Sequence, residues 1–203
     1  MSRPSCKERI LECADIVALE GGAANLTLDA VAERAGVSKG GVLYHFPSKD
    51  ALLAGMVARQ LEMARARREV LAAGETSPGA AARADILATL TRPTEDNRVS
   101  AALLAAVANQ PRLLEPALEF HRERFLSIAG EGADDIFAQR AIAALAADGL
   151  FFLELLQISP FSSAQREALL SSLLAHAAKA NMHGEVEGET KLHTMRPDRA
   201  KEV

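Results

Sequence analysis

At 203 residues, 49% hydrophobic and 25% charged, the chain can bury a real core and is too apolar to be disordered throughout. Its net charge of −4 excludes a bulk basic nucleic-acid binder; residues 1–50 alone hold six Lys/Arg against seven Asp/Glu, so any DNA contact rests on local placement of a few groups. There is no Trp and one Tyr, while Ala and Leu abound, which favours helix over strand.

From Lys7 to Glu20 apolar residues recur in a helical pattern (Ile10, Leu11, Ala14, Ile16, Val17, Ala18, Leu19) until Gly21 and Gly22 stop it. Cys6 and Cys13 share that helix, roughly 10 Å apart along its axis, too far for a disulfide. They read as two packed or half-buried thiols in a reducing cytosol, in preference to a redox switch. Thr27 is a good N-cap for a second helix, 28–35, with Leu28, Val31, Ala32 and Ala35 inward and Gly36 as its left-handed stop. Ser38 caps a short third helix, 39–45, that ends before Pro47. Ser48 caps a fourth, running to about residue 73, with Asp50 in its first turn.

Beyond the 74–79 loop, apolar helical segments fall near 80–91, 96–108, 112–128, 134–157 and 163–180, separated by Gly and Pro signals. The most apolar run, 141–158, is broken by Asp148, Gly149 and Glu154, so it reads as a buried helix and not a membrane span. The first residues lack the pattern of a signal peptide, which points to the cytoplasm. The expectation is an all-α chain of about nine helices: a three-helix N-terminal domain (1–48), a helical regulatory domain (49–181) and a mobile polar tail (182–203).

The second and third helices are joined by Gly36-Val37-Ser38, a connection suited to a helix-turn-helix whose second member enters the major groove. Lys39, Gly40 and Gly41 at the start of that helix are poor core builders. Two glycines cost it about 2 kcal/mol against alanine, a cost that makes sense where backbone approaches a groove or phosphate. Val42, Leu43 and Phe46 are expected to anchor the helix; Tyr44, His45 and Lys49 supply tips for phosphate or base edges.

The run from Thr27 to Leu53, with its Gly-Val-Ser turn, Leu-Tyr-His-Phe and Ser-Lys-Asp-Ala-Leu, resembles the DNA-binding signature of the TetR family. The resemblance spans roughly residues 7–56 and implies a dimeric, ligand-responsive transcriptional regulator. It implies that Thr27 and Ser38 cap helices and meet phosphate, that Lys39, Gly40 and Gly41 open the recognition helix, and that Tyr44 and Lys49 hold phosphate. His45 sits where either base or phosphate contact is common. With few long side chains for readout, specificity leans on Lys39, His45 and DNA shape.

Six of the seven Phe residues follow residue 119. By analogy with the family the distal half binds an effector, and the candidate ligand residues are Leu104, Val107, Phe120, His121, Phe125, Asp148, Phe151 and Phe152; simple core packing gives the same composition. Glu115, Glu119 and Glu123, with Arg122 and Arg124, read as a solvated helix face. The last two helices, about 134–157 and 163–180, are expected to form a homodimer interface, because one recognition helix makes too few contacts for operator affinity. No Ser-His-Asp, Cys-His, metal-ligand or phosphate-cradling pattern is present, so no enzymatic activity, cofactor or metal is expected. The partners implied are double-stranded operator DNA, a small hydrophobic or amphipathic effector and a second copy of the chain. An architectural or cell-cycle DNA-binding protein of the same fold, without an inducer, stays open as the alternative.

Overall fold

Hydroxyl caps set where the N-terminal helices begin. Ser5 accepts from the Glu8 N–H, Thr27 from Ala30, Ser38 from Gly41 and Ser48 from Ala51, each at 3.1 Å, satisfying donors that a helix start leaves free. The computed structural model describes residues 5–77, 79–108, 110–129 and 135–179; the expected tail at 182–203 lies outside the described residues. Among these there are nine helices: α1 (Cys6–Asn25), α2 (Leu28–Ala35), α3 (Lys39–His45), α4 (Lys49–Ala72), α5 (Ala80–Leu90), α6 (Thr94–Val107), α7 (Glu115–Ala129), α8 (Asp135–Leu155) and α9 (Ser163–Lys179). A 3₁₀ turn, Pro111–Leu114, precedes α7, and no strand occurs among the described residues.

Two boundaries differ from the sequence expectation. Gly22 does break α1, with φ 69° and ψ −178°, but one more helical turn follows it to Asn25. The segment expected at 112–128 divides into the 3₁₀ turn and α7, because Pro111 starts a tight turn that relaxes into α-helix at Glu115. The α2 stop is as expected. Gly36 takes φ 63°, donates to Glu33 O at 3.2 Å, and Val37 donates to Ala32 O at 3.0 Å, a left-handed closure that glycine enters without a steric penalty.

Two apolar cores result. The first gathers Ile10, Leu11 and Ala14 of α1, Val31 of α2, Val42 of α3 and Phe46 with Leu52, Leu53, Met56 and Val57 of α4. It does not end at the expected boundary near residue 48, for Leu103 and Val107 of α6 complete it. The second lies between α5, α7, α8 and α9 and is rich in alanine: Ala82, Ala143, Ala144, Ala147 and Ala177. Small side chains let these helices approach closely. α4 takes part in both halves, packing against α1 at one end and against α5 and α7 along the rest.

Candidate functional site

α3 is held from below and open above. Val42 and Phe46 are buried at 0% and 3% exposure, whereas Tyr44 is 85% exposed. Leu43, expected to anchor the helix, is 38% exposed. A seven-residue helix buries only the stripe three to four residues apart, and Val42 and Phe46 already occupy it. The Tyr44 ring meets His45 edge to face, centroids 5.0 Å apart, so the two rings stand together on the outer side.

Of the other candidates, Thr27, Ser38, Lys39, Gly40 and Lys49 are exposed and Gly41 is half-buried. Thr27 and Ser38 use their oxygens as caps, which leaves each hydroxyl hydrogen free to donate. Lys39 Nζ donates to Asp29 Oδ2 at 2.9 Å; the pair is exposed and therefore weak, so Lys39 is easily recruited elsewhere. A Cβ on Gly40 would meet nothing nearer than Ser38 Oγ at 3.8 Å, and one on Gly41 nothing nearer than that oxygen at 3.5 Å. The free fold thus does not require glycine at either position. Lys49 is exposed at the first turn of α4, where helix amides and ammonium can act together on an anion. Lys7, another basic group of this end, lies 5.9 Å above the Phe46 ring.

A half-open cavity of about 240 Å³ lies between α4, α5, α6, α7 and α8. Of the eight expected ligand residues, Leu104, Val107, Phe120, His121, Asp148, Phe151 and Phe152 line it. Phe125 does not; it packs against the alanine-rich core, one residue further round α7 with its ring 5.3 Å from the Arg124 guanidinium. Val57, Leu103 and Val107 belong both to this wall and to the core beneath α3.

Comparison with known proteins places both halves. The family model described as "Bacterial regulatory proteins, tetR family" matches residues 10–56, and "Tetracyclin repressor-like, C-terminal domain" matches 79–178. The chain belongs to the TetR family. It is a DNA-binding transcriptional regulator of all-α fold. Similar solved structures include a TetR-family regulator from Rhodococcus sp. (22% identity, TM-score 0.68, covering 86% of this chain and 98% of that one). A transcriptional regulator from Rhodococcus sp. Rha1 is 25% identical, with TM-score 0.62 and coverage of 87% and 96%. The multidrug binding protein EbrR, in complex with imidazole, is 23% identical, with TM-score 0.61 and coverage of 84% and 96%. No curated protein matches the chain in sequence. No helix among the described residues is long and apolar enough to cross a membrane.

Of the polar centre of this TetR-family cavity, Asp148 was expected but Arg124 and Asp85 were not. Arg124, expected on a solvated face, is 4% exposed. Its Nε and Nη2 donate to Asp85 at 2.7 Å each, and Nη1 donates to Asp148 at 2.7 Å. Burial pulls the guanidinium pKa down, but the hydrogen bonds to both carboxylates outweigh it and hold the pKa raised. The signal was present in α7. Arg124 lies four residues from Phe120 and four from Ile128, both buried, so it falls within the apolar stripe and not on the Glu115, Glu119, Glu123 face.

Arg68 on α4 also approaches Asp85, at 3.5 Å, and its guanidinium lies 4.5 Å from the Phe120 ring. His121 sits at the rim, with Nδ1 3.4 Å from Arg124 Nη1. Desolvation of its inner side first, and the Arg124 charge second, lower its pKa, which favours the neutral imidazole. Among other polar residues of the distal helices, Glu154 is bound by Arg166 at 2.5 Å, outside this wall.

Proposed function

We propose that the protein is an operator-specific repressor acting as a cytoplasmic homodimer and released by a small hydrophobic or amphipathic effector. The observation that carries the DNA half is the exposed Tyr44, standing on a helix whose opposite stripe is fully buried. Evolution of a free surface gives no reason to leave an aromatic ring and a glycine pair there; a phosphate-lined groove does. In this reading Tyr44, Lys49, Thr27 and Ser38 hold the backbone. Lys39, His45 and the close-approaching Gly40 and Gly41 meet the groove, and no catalytic chemistry is involved.

Dimerisation is supported by the outer faces of α8 and α9. Ile142 and Leu145 of α8 are exposed at 61% and 57%, and Leu169 of α9 at 36%. Large apolar side chains left exposed on these two helices favour a protein interface there. Pairing through it sets two recognition helices for half-sites about 34–36 Å apart. The effector half is supported by the cavity and by the three residues it shares with the core under α3. EbrR, a multidrug binding protein holding imidazole, is a precedent for a small guest in this fold. The effector acts by binding one arrangement of the dimer more tightly than the other.

The decisive measurement is a gel-shift series, across salt, on DNA taken from upstream of the protein's own gene. Specific retardation by a dimer is expected, with affinity falling at least about tenfold in Tyr44→Ala/Lys49→Ala and a salt slope shallower by about one for the lost lysine. Absence of specific retardation, or equal binding by the double variant, overturns the reading.

A further inference from the structure

Charge does not balance on the cavity wall. Three guanidinium groups, Arg68, Arg92 and Arg124, face it with two carboxylates, Asp85 and Asp148. Arg124 occupies both Asp85 oxygens and one of Asp148 at 2.7 Å, leaving Arg68 a 3.5 Å approach to Asp85. Arg92 has no carboxylate partner among the described residues. Its Nη2 donates to the neutral Ser100 Oγ at 3.0 Å and Gln60 Oε1 at 3.3 Å, and its guanidinium lies 5.1 Å from the Phe151 ring. The nearby Asp96 is already engaged by Arg67 at 2.8 Å.

The position of Arg92 explains why it stands alone. It lies in the link between α5 and α6, half-buried, with the Ser100 hydroxyl, the Gln60 amide and the Phe151 ring around it. A part-buried guanidinium with no carboxylate in hydrogen-bond contact binds an anion strongly, since its planar fork matches two oxygens at once. The pKa of Arg92 is lowered chiefly by burial, in keeping with a group drawn out of water. A cationic guest, by contrast, would find Asp85 and Asp148 already bound to Arg124.

We propose that the effector is a small amphipathic anion, its carboxylate held by Arg92 and its apolar body lying against Leu104, Phe151 and Phe152. This rests on the reading of the cavity as an effector site and supplies the chemical class of the guest. It also supplies a route outward. The carboxylate competes with Gln60 for the Arg92 donor, and Gln60 belongs to α4, next to Arg59, whose Nε donates to Glu8 of α1 at 2.5 Å.

The test uses the full chain and three matched probes, octanoate, octanamide and octylammonium, followed by calorimetry at neutral pH below micelle-forming concentrations. Octanoate should bind roughly tenfold or more tighter than octanamide, as a charge-assisted pair requires, and octylammonium weakest. Arg92→Gln should bring octanoate and octanamide to within about twofold of each other, and Arg92→Lys should keep part of the preference. Far-UV circular dichroism checks the fold of both variants; were neither to fold, the ranking of probes on the parent protein decides alone. Equal binding of the three, preference for octylammonium, or no binding of octanoate overturns the proposal. A chain that retards operator DNA yet ignores octanoate loses this inference only, whereas one that binds octanoate and retards no DNA loses the repressor reading only.

Discussion

The head around α2 and α3 and the bundle around the cavity use polar groups in opposite ways. In the head the hydroxyl caps reach backbone three residues along the chain and sit at the surface. In the bundle the central hydrogen bonds span 39 and 24 residues, and Arg124 and Asp85 are almost wholly buried. The head's polar groups keep a partner in the solvent when a bond is lost, so it can give up contacts to DNA at small cost. The bundle's groups have nowhere else to turn. One region is built to exchange partners and the other to hold one arrangement.

The largest test of this contrast removes Arg124. Arg124→Met leaves the Asp85 carboxylate buried and short of its main partner, and should cost about 3–5 kcal/mol in urea unfolding. Arg124→Met/Asp85→Leu should recover only part of that loss, since it removes the buried Asp85 charge but leaves Asp148 and Arg68 each short of a partner. If the single variant unfolds like the parent, the bundle centre is no more committed than the head.

The joint between the regions is the next place to look. Asp15 of α1 has a pKa raised from 3.8 to about 6, first by burial, with Glu8, Asp96 and Glu12 adding to it and Arg59 opposing. Arg59 holds Asp15 Oδ2 but is shared with Glu8 and Glu12, and Asp15 Oδ1 has no hydrogen-bond partner. Because the unfolded chain ionises first, this group opposes folding increasingly as pH rises through that window and constantly above it, by up to about 3 kcal/mol. Measured by thermal unfolding against pH, the stability of Asp15→Asn relative to the parent should climb across the window and then level off. A flat difference would show that Arg59 alone governs the carboxylate.

The smallest effect belongs to the head itself. Gly40→Ala meets no close neighbour in the free protein, so it should raise stability by up to about 1 kcal/mol through helix propensity. The same change should weaken operator binding, checked by gel shift on folded protein. Stability gained with affinity unchanged would mean that the glycine pair has no part in groove approach.

This division also explains what was legible beforehand. The bounds of α2 and α3 follow from Thr27, Gly36 and Ser38, whose effects act within four residues and need no knowledge of the rest of the fold. Leu104, Val107, Phe120, Phe151 and Phe152 fall on the cavity wall because apolar residues mark the inward side of each helix, whereas His121 and Asp148, polar residues amid apolar sequence, carry no such mark. Arg124, Asp85, Arg68 and Arg92 were out of reach because their meaning lies in pairs tens of residues apart; an arginine beside glutamates has the same local look whether it points outward or inward. Leu43 failed for the converse reason. A hydrophobic residue on a seven-residue helix has no guarantee of a place in the core, since the one buried stripe was already filled by Val42 and Phe46.

The reach of α4 carries a geometric consequence. Its 24 residues make a rod about 36 Å long, with Leu52 and Leu53 in the core beneath α3 and Arg68 on the cavity wall. A tilt of about 5° about one end sweeps the other through roughly 3 Å, a full hydrogen-bond length. On the proposed reading, a guest that tilts α4 by this small angle at the cavity uncouples a phosphate contact at its far end, and the leverage comes from the length of the rod and not from the size of the guest.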